Sequence, residues 1–524
     1  MPITEMLSMN AQIYPNKTSL IERDPALGLR REITWSEFDN MSNRLANALI
    51  SHGIEKSDKV AILMMNCLEW LPIYFGILKT GALAIPLNFR FTGPEIKKCL
   101  ETAGAKILIF GPEFEDRIRG IAGKAKCLEH AFYVGDGQPS GMDGIANFFD
   151  IIRDVPTDAP GIDISDDQEA ALYFTSGTTG TPKPIVLTHS NLVSACITEN
   201  HHHLQTHEDN FLCIPPLYHT GAKMHWFGSL MVGSKAVILK GVKPEYILDA
   251  ISEEQATIVW LLVPWAQDIL EAIESNQVDL DDFKLDQWRL MHIGAQPVPP
   301  SLIKRWRRHF PNQSYDTNYG LSESTGPGCV HLGIENIHKV GAIGRPGFNW
   351  QAKIVDKSGN ALSYGQTGEL LVKGPGVMKG YFNNEAETDK VLRDGWLHTG
   401  DMARQDSEGF IYLVDRKKDI IISGGENIFP VEIEDFLQEH HDIKDAAVIG
   451  MADERLGEIP VAIIEPKSGR RLGEAAILDF CRSLPRYKRP RKVIFDKVPR
   501  NPTGKIEKPV LREKWCGKPS GVLV

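Results

Sequence analysis

Residues 173–183 read YFTSGTTGTPK, and their chemistry is that of a cradle for a polyphosphate. Glycines let the backbone approach a ligand closely, because no Cβ stands in the way. Hydroxyls and exposed N–H groups donate hydrogen bonds, and Lys183 adds a mobile positive charge. The flanks agree: residues 170–174 form an apolar run suited to a buried strand, and Ser190 reads as the N-cap of a helix over 191–202. A Walker A loop is excluded, because GxxxxGK[ST] needs Gly-Lys-Ser/Thr and here Pro182 and Pro184 flank the lysine. A flexible Gly/Thr surface loop fits the same letters, so the reading needs company.

Four further stations supply it. At 318–323 the run NYGLSE joins an aromatic ring, which can stack on a flat base, to Glu323. That glutamate is a hard oxygen ligand suited to Mg²⁺, with the Ser322 hydroxyl beside it. Gly294, Ala295 and Gln296 follow an apolar strand over 290–293, beyond the carboxyl end where open α/β sheets bind ligands. In WLHTGD, Asp401 can accept two hydrogen bonds from a ribose diol, each charge-assisted bond worth about 1.5–3 kcal/mol. Arg416 is a permanent cation for a ribose or an α-phosphate, and SGGEN at 423–427 leaves room for a narrow thiol arm. Lys505 sits on the Pro/Gly loop PRNPTGK, where a mobile lid could carry it toward developing charge at phosphorus. Each has an ordinary rival: a turn glutamate, an Asx-turn aspartate, a surface lysine.

Alternating patterns must position these groups. Residues 36–52 put Phe38, Met41, Leu45 and Leu49 on one helical face, with Gly53 as the stop. Apolar strands are expected at 60–65, 82–87, 106–110, 211–214, 236–239, 258–263 and 290–293, with helices between, including a capped one at 92–103. This β–α alternation predicts two doubly wound α/β subdomains with parallel sheets. Residues 341–381 are Gly-rich with short strands (351–355, 369–373), a small antiparallel barrel-like subdomain. The last part reads as a compact, mobile α+β lid: helix 431–439 after Pro430, strands 446–450 and 460–465, helix 473–484, strand 492–496. The expected division is residues 1–415, a hinge at 416–418, and a lid over 419–524.

Composition narrows the function classes. The 524 residues are 42% hydrophobic and 24% charged, with net charge -10, so no basic surface points to nucleic acid. Eight cysteines without a CxxC pair argue against a zinc ribbon or a disulfide framework. His201–His203 with His207 could mimic a metal cluster, but consecutive histidines on a helix splay around its axis. No secretion signal or membrane span is read, so a cytoplasmic location is expected. Quaternary state is not readable, a homodimer included.

In order along the chain, TSGTTGTPK, YGLSE, GELLVKGPGVMKGY, WLHTGD, DRKKDIIISGGENI and PRNPTGK resemble the motifs of the adenylate-forming superfamily of acyl-CoA synthetases, luciferases and peptide-synthetase adenylation domains. The resemblance implies a ligase joining a carboxylic acid to coenzyme A with ATP and Mg²⁺, through an acyl-adenylate. It places Thr175, Ser176, Gly177, Thr178, Thr179 and Lys183 on the phosphates, and Gly294–Gln296, Asn318, Tyr319, Gly320 and Ser322 around AMP. Glu323 would hold the metal, Asp401, Arg416 and Asn427 the nucleotide, and Lys505 the carboxylate and α-phosphate. Lys418 matches the hinge, and Gly424 with Gly425 the CoA passage.

PPLYHTGA at 215–222 is similar to the family's acyl-pocket motif, with His219 and Trp265 at the pocket. Peptide-synthetase domains carry an aspartate there, and its absence predicts an acid without an ammonium group. Trp226, Trp260 and Trp265 could wall that pocket or belong to the core. A small or medium aliphatic, alicyclic or aromatic acid is expected, and some resemblance to carnitine- and crotonobetaine-CoA ligases exists. Pro184 departs from the family's Lys-Gly, stiffening the loop's exit, and Ser322 replaces a commoner threonine. Rival readings are a ligase that loads a carrier protein, a luciferase-type oxygenase, and a non-catalytic nucleotide-binding protein.

Overall fold

The computed structural model describes all residues except 122, 143, 176–182, 295–297, 332–333, 417–418, 424–425, 471, 502–503 and 517–524. Local chemistry builds the helices as their sequences suggest. Phe38, Leu45 and Leu49 are fully buried on Trp35–Ser51, which Thr34 and Glu37 open as a reciprocal capping box. Gly53 follows at φ +82°, a left-handed conformation that favours glycine. Thr92 and Glu95 cap Gly93–Ala103 in the same way. The helix His189–His203 opens on Thr188 instead of Ser190, because Thr188 accepts from Asn191 N while Asn191 returns a bond to the Thr188 backbone.

Two large sheets form the body. In the first, Leu83–Pro86, Lys59–Leu63, Ile107–Phe110, His130–Tyr133 and Ala146–Asn147 run parallel, as expected for apolar strands covered on both faces. Its other edge departs from expectation. Glu169–Thr175 and Lys183–Thr188 are antiparallel and flank residues 176–182, so the Gly/Thr run lies between two strands and not between a strand and a helix. Pro184 hid the second strand, since proline is rare between two neighbours. Its carbonyl nevertheless accepts from Phe382 N at 2.9 Å.

The second sheet has Ser314–Gly320, Leu290–Gly294, Ile258–Leu262, Asn210–Cys213, Lys235–Leu239 and Thr18–Asp24 parallel in that order, with antiparallel Leu29–Thr34 at one end and antiparallel Pro327–His331, then Arg345–Pro346, at the other. The small antiparallel sheet comprises Gln351–Val355, Thr367–Lys373, Leu392–Arg393, Trp396–Gln405 and Ile411–Arg416. It therefore reaches well past residue 381, while Gly380–Tyr381 leaves it to pair with Lys183–Thr188.

The lid has its own sheet, in which Gly457–Pro466 pairs antiparallel with Ile443–Asp453 and parallel with Lys492–Phe495. Two apolar clusters, one on each face, hold it together. Polar contacts seat it on the body: Arg90 Nη1 donates to the Arg500 carbonyl at 3.2 Å. At the joint, Val431 N donates to Asp415 Oδ2 at 3.2 Å. Burial raises that Asp415 carboxyl to about 6, while the Lys508 ammonium works against the shift. Among the described residues, no helix is long and apolar enough to cross a membrane.

Candidate active site

Strand register brings two of the expected groups together. Asp401 on Trp396–Gln405 stands opposite Arg416 on Ile411–Arg416, and Arg416 Nε meets Asp401 Oδ1 at 2.9 Å. Tyr319, near the end of Ser314–Gly320, donates its hydroxyl to Asp401 Oδ2 at 2.6 Å. Residues 82 and 97 positions from Tyr319 thus share one buried carboxylate with it. Asp401 is 4% exposed, whereas the Arg416 side chain keeps 41%, so the guanidinium is the open face of the group. Burial and the adjacent carboxylate push the Tyr319 phenol well above its usual range. The same carboxylate raises Arg416, which stays a cation.

Glu323 lies on the single turn Ser322–Ser324 just after that strand. Its Oε1 accepts from the Tyr381 hydroxyl at 3.1 Å, and its carbonyl accepts from Met378 N at 2.8 Å. Tyr381 also lies beneath Lys183, whose Nζ is 5.5 Å from the ring centre. The Lys183 ammonium bonds Glu387 Oε2 at 2.5 Å, and that bond holds the Glu387 carboxyl down to about 2. Sequence reasoning did not find Glu387. Its one signal was Asn384, which caps the short helix Glu385–Val391 through Glu387 N.

His219 caps the helix Thr220–Val232, its Nδ1 accepting from Gly221 N at 3.1 Å. A Cβ on Gly221 would lie 3.1 Å from the Trp260 ring, so glycine is what lets that ring approach. Ser322 Oγ is 3.2 Å from Thr220 Oγ1, which joins the Glu323 turn to this helix. Desolvation lowers the His219 imidazole to about 3, and the Lys505 ammonium adds to the shift.

The lid loop is braced around that lysine. Asn501 N donates to the Lys505 carbonyl, and Lys505 N to Asn501 Oδ1, both at 2.9 Å. Arg500 grips Asp445 at 2.7 Å and the Gly504 carbonyl at 2.6 Å. Gly504 has φ +81°, where a side chain would strain the backbone.

Thr175 pairs with Lys183 at the ends of their strands, and Gly294 closes Leu290–Gly294. Gly320 closes its own strand, and Asn427 sits on Glu426–Ile428. Asn318 donates to Glu199 Oε1 at 2.9 Å, a partner no motif announced. Trp265 is partly buried and packs against two of the body's apolar clusters. Trp226 is fully buried, with ring centroids 5.9 Å from Phe38 and 5.8 Å from Phe75, and belongs to the core. Ser176, Gly177, Thr178, Thr179, Ala295, Gln296, Lys418, Gly424 and Gly425 lie outside the described residues.

A cation, a half-open guanidinium–carboxylate pair and a glutamate are groups whose chemistry suits a nucleotide polyphosphate. The comparisons agree. The model of the AMP-binding enzyme family matches residues 7–382, and that of the AMP-binding enzyme C-terminal domain matches residues 432–505. The chain belongs to this adenylate-forming family. Within it the relatives are acid–CoA ligases, and this chain is an ATP-dependent, AMP-forming enzyme of that type.

A long-chain-fatty-acid–CoA ligase of Mycobacterium tuberculosis is 32% identical over 512 residues, covering 97% of this chain and 98% of its own. A feruloyl-CoA synthase of an Amycolatopsis species is 33% identical, with 96% and 97% covered. The solved anthranilate CoA ligase AuaEII in complex with anthranoyl-AMP superposes with a TM-score of 0.88 at 26% identity, covering 98% of this chain and 97% of that one. The o-succinylbenzoate CoA synthetase of Bacillus subtilis with ATP and magnesium ion gives 0.82 at 28%, with 98% and 99% covered.

Proposed function

We propose that the body holds ATP through Asp401 and Arg416 at the ribose, and that Lys505 of the lid meets the reacting phosphate. The body holds ATP: Lys183 and the 175–179 run take the phosphates, Tyr319 with Gly294–Gln296 walls the base, and Asp401 with Arg416 holds the ribose. The observation that carries this is the Tyr319–Asp401–Arg416 group, whose carboxylate and guanidinium are set by strand register before any ligand arrives.

Glu323 fits Mg²⁺ by its donor chemistry: one carboxylate oxygen is positioned by Tyr381, and hard oxygens suit this ion. Bound there, Mg²⁺ would neutralise charge on the polyphosphate. In the first step a carboxylate oxygen forms a bond to the α-phosphorus as the bond to pyrophosphate breaks, giving an acyl-adenylate. The chain need supply no nucleophile, only alignment and charge. Lys505 bridges the entering carboxylate and the phosphoryl oxygens. The lid then turns at 416–418, through Lys418, and brings Gly424 and Gly425 over the site. The thiol of coenzyme A, losing its proton, attacks the acyl carbon and AMP leaves.

In this reading His219 and Trp265 stand at the acid's end of the site. Large rings there favour a small or medium acid without an ammonium group. A panel of aliphatic, alicyclic and aromatic acids, assayed with ATP and CoA, tests the reading. AMP and pyrophosphate should appear with at least one of them, and release of ADP with phosphate would overturn it.

A further inference from the structure

One pleat below Gly294 and Asn318 lies a second group of side chains that nucleotide handling does not use. Trp260, His292 and Asp316 stand in register across three adjacent parallel strands. Two helices pack over this row and add Glu199, His203 and His225. His292, His225, Glu199, His203 and Asp316 are all 3% exposed or less.

Their polar atoms cluster tightly. His203 Nε2 lies 2.9 Å from Asp316 Oδ2 and 3.3 Å from His292 Nδ1. His292 Nδ1 is 3.1 Å from that same Asp316 oxygen. Glu199 Oε2 is 3.4 Å from His203 Nε2 and 3.1 Å from His225 Nδ1. Each of the three imidazoles offers one nitrogen within 4.8 Å of the other two.

Such spacings match the edges of a coordination shell. Ligand bonds of about 2.0–2.1 Å at tetrahedral angles put neighbouring donors about 3.4 Å apart. The charge argument is independent of spacing. Two carboxylates buried together carry two negative charges, and burial is costly unless they are matched. Asn318 brings only a neutral donor, and one protonated imidazole would cancel half. A divalent ion with three neutral imidazoles cancels all of it. Finally, His225 Nε2 and Asp316 Oδ1 are buried without hydrogen-bond partners, unusual for a network built to satisfy itself.

We propose that His203, His225 and His292, with Glu199 and Asp316, form a buried site for a divalent transition-metal ion beneath the substrate cleft. Three imidazole nitrogens with carboxylate oxygen select zinc or its close analogues over Mg²⁺ or Ca²⁺. The ion ties two helices to two strands of the second sheet. Coordination at Nδ1 leaves the His292 proton on Nε2, the atom 3.8 Å from where a Gly294 Cβ would be. Through Glu199 it also steadies Asn318. Any protons on the coordinating nitrogens are released to solvent on binding.

The test uses the full chain, untagged, from zinc-supplemented medium. Elemental analysis after desalting should find about one zinc per chain, and protein grown with Co²⁺ should show the visible absorption of cobalt bound by nitrogen and oxygen. Crystals of the wild-type protein should give an anomalous peak at the zinc edge among the five side chains. Folded His292→Asn and Glu199→Gln variants should lose zinc affinity at least tenfold. Wild-type protein that stays zinc-free after dialysis against zinc, a peak elsewhere, or variants that bind zinc as wild type does would each overturn the proposal. In those cases the cluster is a hydrogen-bonded network.

Discussion

The nucleotide face of the body and the lid loop hold their charges in different ways. On the body, Asp401, Arg416 and Tyr319 are locked to one another by strand register and two short polar contacts. On the lid, Lys505 rides a loop braced by Arg500 and Asn501, and the same loop touches the body through the Arg500 carbonyl and Arg90. A binding site benefits from groups already in place, because ordering them on binding would subtract from affinity. Under the proposed mechanism Lys505 serves only one of two half-reactions, and such a charge benefits from an attachment that can withdraw.

Five substitutions would break or sharpen this contrast. The largest effect is expected for Lys505→Ala, which should cut adenylation by about 10²–10³, on the order of 3–4 kcal/mol, while ATP binding stays nearly intact. Pyrophosphate exchange at the wild-type rate would remove Lys505 from the reaction. Asp401→Asn should do the reverse, weakening ATP by about 10–100-fold with a smaller change in kcat, as expected for a lost charge-assisted bond of about 1.5–3 kcal/mol. A kcat effect larger than the KM effect would show that the body's groups act on the reaction itself.

Lys183→Ala should raise the KM for ATP about tenfold. Glu387→Gln, which loosens Lys183 without removing it, should change KM less than Lys183→Ala does. Equal effects would mean the pair works as one unit.

The smallest change concerns acid stability. His189 is fully buried, and burial lowers its imidazole to about 4, as enclosure lowers His219 to about 3. Unfolded imidazoles take protons near pH 6.5 and these folded ones do not, so the unfolded state binds more protons below that pH. Stability is full above about pH 6.5 and falls as pH drops toward 4, by up to about 1.4 kcal/mol per pH unit for each imidazole. Thermal melts from pH 7 to 5 should show the decline, and His189→Leu should flatten it. An unchanged slope in that variant would assign the acid sensitivity elsewhere.

Legibility followed the range of the interactions. The strand cores, the cap at Thr92, and the start of the lid helix at Pro430 depend on neighbours a few residues away, and the sequence displays them. The N-cap choice between Thr188 and Ser190 turned on a reciprocal bond with Asn191, a matter of one turn. The strand Lys183–Thr188 was concealed by a proline whose missing N–H the fold tolerates. Glu387 opposite Lys183 bridges more than two hundred residues, a distance no local pattern spans.

By itself, the order of residues determined which chemical groups this protein owns, that they belong to an adenylate-forming ligase, and where its helices and most of its strands run. Those properties rest on side-chain type and on periodicities of two and 3.6 residues, both local. Only the tertiary structure decided that Tyr319 and Arg416 share one carboxylate, that Arg90 of the body meets the Arg500 carbonyl of the lid, and that His203 parts from its two neighbours to meet His225 and His292. Sheet register and helix packing set those meetings, and both arise from contacts between segments far apart along the chain.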